Sequence, residues 1–299
     1  MNLIKITAIF CIYNHRKYIE AALHSLLHQT SPVDRIICFD DGSKDGSREF
    51  ILEAIGSDPR VSFARDMGVN KGLLARLNEA LDSVEDGYVM HLSGDDVWSI
   101  DAVKTHRKLL QEKPSDWSIG AVQVVDEDMS PLRLCNPVEI LERFDNQVYR
   151  AVLCAAPLFM HGWCYSIALY RRVGGLENII PEDYPLSIKF AKACKPVCTS
   201  KVVSYYRKAP RSITNSDQAF NVSYTLAWTT LREAPFAPWI ALRAASDRFF
   251  ESSLYGLKQG QLVGAVKSAV IAAVCWPSPW QYGARLRRGV RKAVSYFMA

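Results

Sequence analysis

The feature that most constrains this chain is a regular alternation, over its first 126 residues, of short β-rich apolar runs with segments of helical period. "IKITAIFCIY" leads into "RKYIEAALHSLLHQT", where Ile19, Ala22, Leu23, Leu26 and Leu27 share one helix face. Ser31 and Pro32 stop that helix. There follow "RIICF" as a strand, "SREFILEAI" as a helix, "VSFAR" as a strand, "GLLARLNEALDSV" as a helix, "GYVMHL" as a strand, "DAVKTHRKLLQE" as a helix and "GAVQVV" as a strand. A βα repeat of this kind predicts an α/β fold, a doubly wound and mostly parallel sheet with helices on both faces, whose ligands bind at the carboxyl ends of the strands. Polar residues immediately after strands are therefore the candidates for function.

Two of those strand ends carry adjacent acids, Asp40 and Asp41 in "CFDDGSKDGS" and Asp95 and Asp96 in "HLSGDDVW". Neighbouring carboxylates repel unless positive charge stands between them and a ligand, and a hard divalent cation, Mg²⁺ or Mn²⁺, is the usual solution. Such a cation would in turn hold substrate phosphates. A capped turn accounts for "DDGS" taken alone, since Asp, Gly and Ser are what turns use; recurrence at two strand ends of one sheet favours the cation. Neither G-x-x-x-x-G-K-[ST] nor G-x-G-x-x-G follows the first strand, which runs into "IYNHRKY", and no G-x-S-x-G elbow occurs. P-loop, dinucleotide-binding and serine-hydrolase readings lose their support.

With 299 residues, 49% hydrophobic and 22% charged, the chain can bury one large core or two small ones. Its eight Cys are scattered, several inside apolar runs such as "RIICFD", which fits a reducing compartment; Cys194 and Cys198 lack the second pair that a zinc site needs. The first apolar run meets Asn14, His15 and Arg16 and reads as a strand rather than a leader. "AVLCAAPLFMHGWCYSIALY", residues 151–170, is uncharged but interrupted by Pro157, His161 and Gly162, and is expected to form a buried strand and loop rather than a membrane span. The net charge of +5 resides in residues 276–299, where Arg285, Arg287, Arg288, Arg291 and Lys292 meet no acid. A chain otherwise neutral is a poor candidate for nucleic acid and a better one for a single localised contact. After Gly283 a helical pattern sets Leu286, Val290, Ala293, Val294 and Phe297 on one face, with Trp276, Trp280 and Tyr282 before it. These are the ingredients of a helix lying in an anionic membrane surface, and equally of a terminal helix packed on its own domain.

Six blocks in order, "AIFCIYNHRKYIEAALHSLLHQT", "IICFDDGSKDGS", "NKGLLARLN", "HLSGDDVW", "RRVGGLENIIPEDYPLSIKF" and "SYYRKAPRSI", resemble the nucleotide-sugar-dependent glycosyltransferases of family two over about residues 4 to 215. The resemblance implies the GT-A fold in residues 1–214, with a helical C-terminal region and basic tail in residues 215–299. It implies that Tyr13, Asn14 and Asp41 contact the donor base with Asp40 beside them, and that Asp95 and Asp96 form the DxD-type motif. Asp96 then coordinates the divalent cation, Mg²⁺ or Mn²⁺, and Asp95 lies near the ribose and sugar. Where many members open this motif with a third acid, this chain has Ser93. "PEDYPL" matches the Glu-Asp motif, which makes Asp183 the general base and sets Glu182 on the acceptor side; first-turn acids of the helix "DYPLSIKFAKAC" are a compatible reading. After the Tyr-Arg of "YYRKAPRSIT", Ala209 and Pro210 occupy ground where many members carry a His, so Arg207 or Arg211 would supply the positive charge at the diphosphate, or else sit in solvent. His161 and Trp163 fall where the family places acceptor-side residues, and a buried aromatic is the plain alternative for Trp163.

The resemblance thus implies an inverting enzyme that moves a sugar from a nucleoside-diphosphate donor to a hydroxyl of a saccharide or lipid-linked acceptor in bacterial surface polysaccharide synthesis. The expected setting is the cytoplasm, peripheral on the inner face of the cytoplasmic membrane. A non-catalytic nucleotide- or sugar-binding module of the same fold and a metal-dependent phosphoryl-transfer enzyme are the rival readings. The joint presence of Asp96 and Asp183 weighs against the first, because a binding relic needs no base.

Overall fold

The computed structural model describes residues 4–64, 67–154, 156–208 and 219–275. The first half alternates as the periodicity predicts: β1 (Ile6–Ile12), α1 (Ile19–Leu27), β2 (Arg35–Asp40), α2 (Ser47–Ile55), β3 (Val61–Phe63), α3 (Leu73–Asp82), β4 (Tyr88–Ser93), a short β5 (Val97–Trp98), α4 (Ala102–Glu112) and β6 (Trp117–Val125). There follow β7 (Pro131–Cys135), α5 (Pro137–Glu142), α6 (Val148–Leu153), a 3-10 turn at Met160–Gly162, β8 (Trp163–Ser166), α7 (Ile167–Arg172), α8 (Asp183–Ala193) and β9 (Val197–Arg207). Among the described residues the strands form one sheet in the order β3-β2-β1-β4-β8-β6-β9-β5, with β7 alongside β6. β3, β2, β1 and β4 run parallel, β8 is antiparallel between β4 and β6, and β6 and β9 run parallel.

Side-chain alternation along β1 sends Ile6, Ala8, Phe10 and Ile12 to one face of the sheet. There they join Ile36, Cys38, Met90 and Leu92 under Ile19, Ala22, Leu23 and Leu26 of α1, Ile51 and Ile55 of α2, and Val103 and Leu110 of α4. Among the described residues no disulfide forms, and Cys38, Cys135 and Cys164 are buried like small hydrophobes. Register then positions the site. Ile12 lies beside Asp40, and Cys11 beside Ser93. The residues just past β1, β2 and β4, all parallel, therefore emerge along one edge of the sheet.

Residues 151–170 differ from the expected buried strand and loop. They hold the end of α6, an irregular stretch, the 3-10 turn, four residues of β8 and then α7. Pro157 falls in the irregular stretch, and Ser166 caps α7 by accepting from the N–H of Leu169 at 3.0 Å, so the apolar run is divided before it can extend. No helix among the described residues is long and apolar enough to cross a membrane.

The chain divides into two compact units, one of residues 1–152 and 156–209, the other of residues 153–155 and 210–299. In the second unit, α9 (Ala219–Leu231), α10 (Pro238–Lys258) and α11 (Leu262–Cys275) surround Ala227, Ala245, Phe249 and Ala272, with Tyr224, Leu231 and Ile271 packed against that cluster. α11 buries Ala265, Ser268 and Ala272 and exposes Val263, Val266, Val270 and Val274.

Candidate active site

Asn14, two residues past the end of β1, has φ 56°, a left-handed conformation that Asn tolerates better than most residues. Its N–H donates to Ser43 Oγ at 2.8 Å, and its side-chain oxygen accepts from the N–H of Lys44 at 3.0 Å, which ties the β1 exit to the β2 exit. Asp40 is fully buried, and its Oδ2 accepts from the N–H groups of Gly42 and Ser43 at 3.0 and 2.9 Å. Gly42 sits at φ +82°, and a Cβ there would lie 2.8 Å from the Asn70 nitrogen, so the "DDGS" turn requires glycine. Asp40 Oδ1 has no hydrogen-bond partner among the described residues. A buried carboxylate oxygen without a donor is costly. Asp41 is committed otherwise: its oxygens accept from the N–H of Lys71 at 2.7 Å and of Gly72 at 3.1 Å, and the buried Arg76 guanidinium lies 3.5 Å away. It anchors the residue 69–72 loop and is 6% exposed, while Asp40 beside it is fully enclosed. Tyr13 is 48% exposed at the same edge, its ring open to a ligand.

The second acid pair follows β4. Ser93 donates to Asp95 Oδ1 at 2.5 Å, and His15 Nε2 lies 3.8 Å from that oxygen. Asp96 is 2% exposed, and its two oxygens face different partners. Oδ1 accepts from the N–H of Arg207 at 2.8 Å, while Oδ2 lies 3.1 Å from His161 Nε2. Burial raises the Asp96 carboxyl above its usual range, with His161 pulling the other way. Burial likewise disfavours the His161 cation, but Asp96, Asp183 and Asp95 together outweigh it, and the net shift is upward. His161, expected on the acceptor side, thus stands between the two acid groups of the site.

Arg207 takes a different part from the expected diphosphate contact. It is 5% exposed, its Nε donates to the Asp95 carbonyl at 2.8 Å, its Nη1 donates to the Glu127 carbonyl, and its guanidinium lies 4.7 Å from the centre of the Tyr18 ring. It clamps the Asp95–Asp96 turn from β9. Trp163 takes the place of the buried aromatic: it is 1% exposed, donates to the Leu158 carbonyl and packs edge-on against Trp117, 5.1 Å between centroids. The 3-10 turn breaks the alternation, so His161 faces the acids and Trp163 the core. Arg211 and the tail of residues 276–299 lie outside the described residues.

The third group stands at the start of α8. Burial, then repulsion from Asp183, raises Glu182 to about 7. Burial raises Asp183 too, against the pull of His161 and of the N–H groups of Tyr184 and Asp183. A carboxyl so perturbed and electrostatically linked to His161 is a candidate acid or base. Sequence reasoning missed Tyr18 and Glu127, which hydrogen-bond each other beneath Arg207, with Lys17 Nζ 2.7 Å from Glu127. A tyrosine in a helix start and a glutamate in a turn leave no local signal of their pairing.

The sequence profile of Glycosyl transferase family 2 matches residues 7–172, more than half of the chain and most of the residues just described. The chain belongs to that family. Relatives that it matches are named as glycosyltransferases or for their synthesis pathways. Over 120 residues it is 31% identical to TuaG of Bacillus subtilis (strain 168), named for teichuronic acid biosynthesis, a stretch that covers 40% of this chain and 47% of that protein. The chain thus spans less than half the length of the first curated relatives it matches. In three dimensions it is similar to S. aureus TarS, with TM-score 0.62 and 19% identity over 90% of this chain and 80% of that one. It is equally similar to the mannosyltransferase PcManGT of Pyrobaculum calidifontis, in complex with GDP-Man and Mn²⁺, with TM-score 0.62 and 19% identity over 98% and 81% of the two chains. Identity so low establishes the fold, which is GT-A.

The residues present fit a divalent cation. Among the described residues no three His, Cys, Asp or Glu side chains converge into a closed cage. Instead Asp96 offers one oxygen, Oδ2, while Oδ1 is pinned by a main-chain donor, and hard cations of this kind are commonly held by one or two carboxylates completed by substrate phosphates.

Proposed function

We propose that the chain is an inverting glycosyltransferase that moves a sugar from a nucleoside-diphosphate donor, UDP- or dTDP-linked, to a hydroxyl of a saccharide or lipid-linked acceptor, in bacterial surface polysaccharide synthesis. The observation that carries this reading is that one site contains both the Asp95–Asp96 turn and the Glu182–Asp183 pair, whose ionisation burial holds back, with His161 in electrostatic contact with both. The biological setting draws support from TuaG, and the donor class from TarS and PcManGT, structures of which contain UDP-GlcNAc and GDP-Man respectively.

On this reading Tyr13, Asn14 and Asp41 contact the donor base, with Asp40 beside them shaping the turn, and Asp95 faces the ribose and sugar. Asp96 would hold Mg²⁺ or Mn²⁺, which supplies positive charge against the charge developing on the leaving diphosphate. Asp183 takes the proton of the acceptor hydroxyl as that oxygen attacks the anomeric carbon, and the bond to the diphosphate breaks on the opposite face. One displacement inverts the centre and needs one base. The burial that raises Asp183 makes its carboxylate a stronger proton acceptor. Glu182 and His161 border the acceptor side. A product whose new linkage has the anomeric configuration opposite to the donor's, read by NMR, tests the reading; retention, or donor hydrolysis alone, contradicts it.

The tail of residues 276–299 is proposed to rest on an anionic membrane surface, which would hold the enzyme at the inner face of the cytoplasmic membrane beside a lipid-linked acceptor. The exposed valines of α11, the helix leading into it, offer a second apolar surface of the same sense. Each basic residue near such a surface contributes about 1 kcal/mol. Truncation at Pro277 should abolish salt-sensitive co-sedimentation with anionic vesicles; an intact protein that ignores those vesicles at low salt ends this part of the proposal.

A further inference from the structure

We propose that His161 supplies, beside Asp96, the second protein ligand to the divalent cation, so that the centre is an oxygen-and-nitrogen site rather than a carboxylate-only one. This rests on the cation-dependent reading above and adds a residue to it.

The geometry argues first. Two ligands at right angles, each about 2.1 Å from an octahedral cation, lie about 3.0 Å apart. Asp96 Oδ2 and His161 Nε2 are 3.1 Å apart. A cation can take the place of the proton these atoms share, that proton passing to solvent, with little movement of either side chain. The other histidine at this edge, His15, faces Asp95 instead, its Nε2 3.8 Å from Asp95 Oδ1.

Both groups are also held in place. Asp96 Oδ1 is fixed by the Arg207 N–H, which leaves Oδ2 directed at the ring. His161 belongs to the 3-10 turn, whose Gly162 packs so closely that a Cβ would lie 2.6 Å from the Gly120 carbonyl oxygen. The ring lies 4.5 Å from that of Tyr206, centre to centre. Its side chain is 28% exposed beside an Asp96 that is 2% exposed, so the ring keeps some access to solvent, from which phosphate oxygens would complete the shell. An imidazole ligand shifts preference toward transition metals, since Mg²⁺ favours oxygen alone.

The test uses the full chain with Mn²⁺ and each of UDP, dTDP, GDP and CDP. Electron spin echo modulation of bound Mn²⁺ should show a directly coordinated imidazole nitrogen that changes when the protein carries 15N-labelled histidine and that persists in His15→Gln. In His161→Gln that coupling should vanish, and Mn²⁺ should bind at least about tenfold more weakly, with Mg²⁺ affected less. Bound Mn²⁺ without histidine coupling in the native protein, a result that needs no variant to fold, overturns this inference and leaves the cation at Asp96 standing. No protein-bound Mn²⁺ with any of the four nucleotides overturns both.

Discussion

The main chain of Arg207 donates to Asp96 Oδ1 while its side chain donates to the Asp95 carbonyl, each across 2.8 Å. One residue at the end of β9 therefore fixes both acids of the β4 exit. Arg207→Lys keeps the charge and the main-chain bond but loses the planar fork that reaches two carbonyls. Mn²⁺-dependent binding of a nucleoside diphosphate should weaken about 10–100-fold, as expected when a group that orients a metal ligand is lost. Stability should fall by about 1–3 kcal/mol from the unpaired carbonyls. Calorimetric titration with and without Mn²⁺ checks this: a loss of equal size without the metal would make Arg207 a direct diphosphate contact instead.

Asp183→Asn should lower kcat by at least about 10²-fold and leave donor affinity unchanged, because the base acts on the acceptor. Single-turnover rates and donor titration separate the two. Donor affinity that falls in step with turnover would make Asp183 a binding group.

The Glu182–Asp183 pair gives the pH dependence its sign. A carboxyl raised to about 7 in the folded protein, from about 4.5 unfolded, contributes stability that is fully present below about 4.5 and is lost as pH rises through about 7. Glu182→Gln should remove that loss and raise Tm by a few degrees at pH 8 relative to native, with little effect at pH 4. In the native enzyme kcat/KM should climb with pH through the same region as the pair ionises. Thermal melts across pH read the first effect and a rate profile the second; parallel melts of native and variant protein contradict the shift.

Trp163→Ala should cost about 3–5 kcal/mol, the penalty for emptying a large aromatic site in a core, whereas Trp163→Phe should leave the acceptor KM unchanged. Chemical denaturation measures the first. A Phe variant that folds normally but binds acceptor poorly would restore Trp163 to the acceptor side.

The parallel part of the sheet was legible because β1 to β4 and their helices carry period-2 and period-3.6 patterns strong enough to be read locally, and the paired acids mark where those strands end. What escaped depends on contacts between distant segments. Two-residue β5 and the antiparallel insertion of β8 have no periodic signature, and the turn at Met160–Gly162 changes which way successive side chains point, so His161 and Trp163 part company. Asp40 and Asp41 look alike in sequence. Only the contacts each one makes tell them apart: Asp41 holds the loop at Lys71 and Gly72, and Asp40 holds the N–H groups of its own turn.

The central claim is that Asp96 holds a cation through which the donor diphosphate binds, and the most direct test is calorimetric titration of the nucleoside diphosphate that binds best, with and without Mn²⁺, into native protein and Asp96→Asn. The native protein should bind far more tightly with Mn²⁺ than without it, and the variant, folded by its unchanged circular dichroism, should show the same weak binding in both conditions. A variant that keeps the full Mn²⁺-dependent gain would contradict the account.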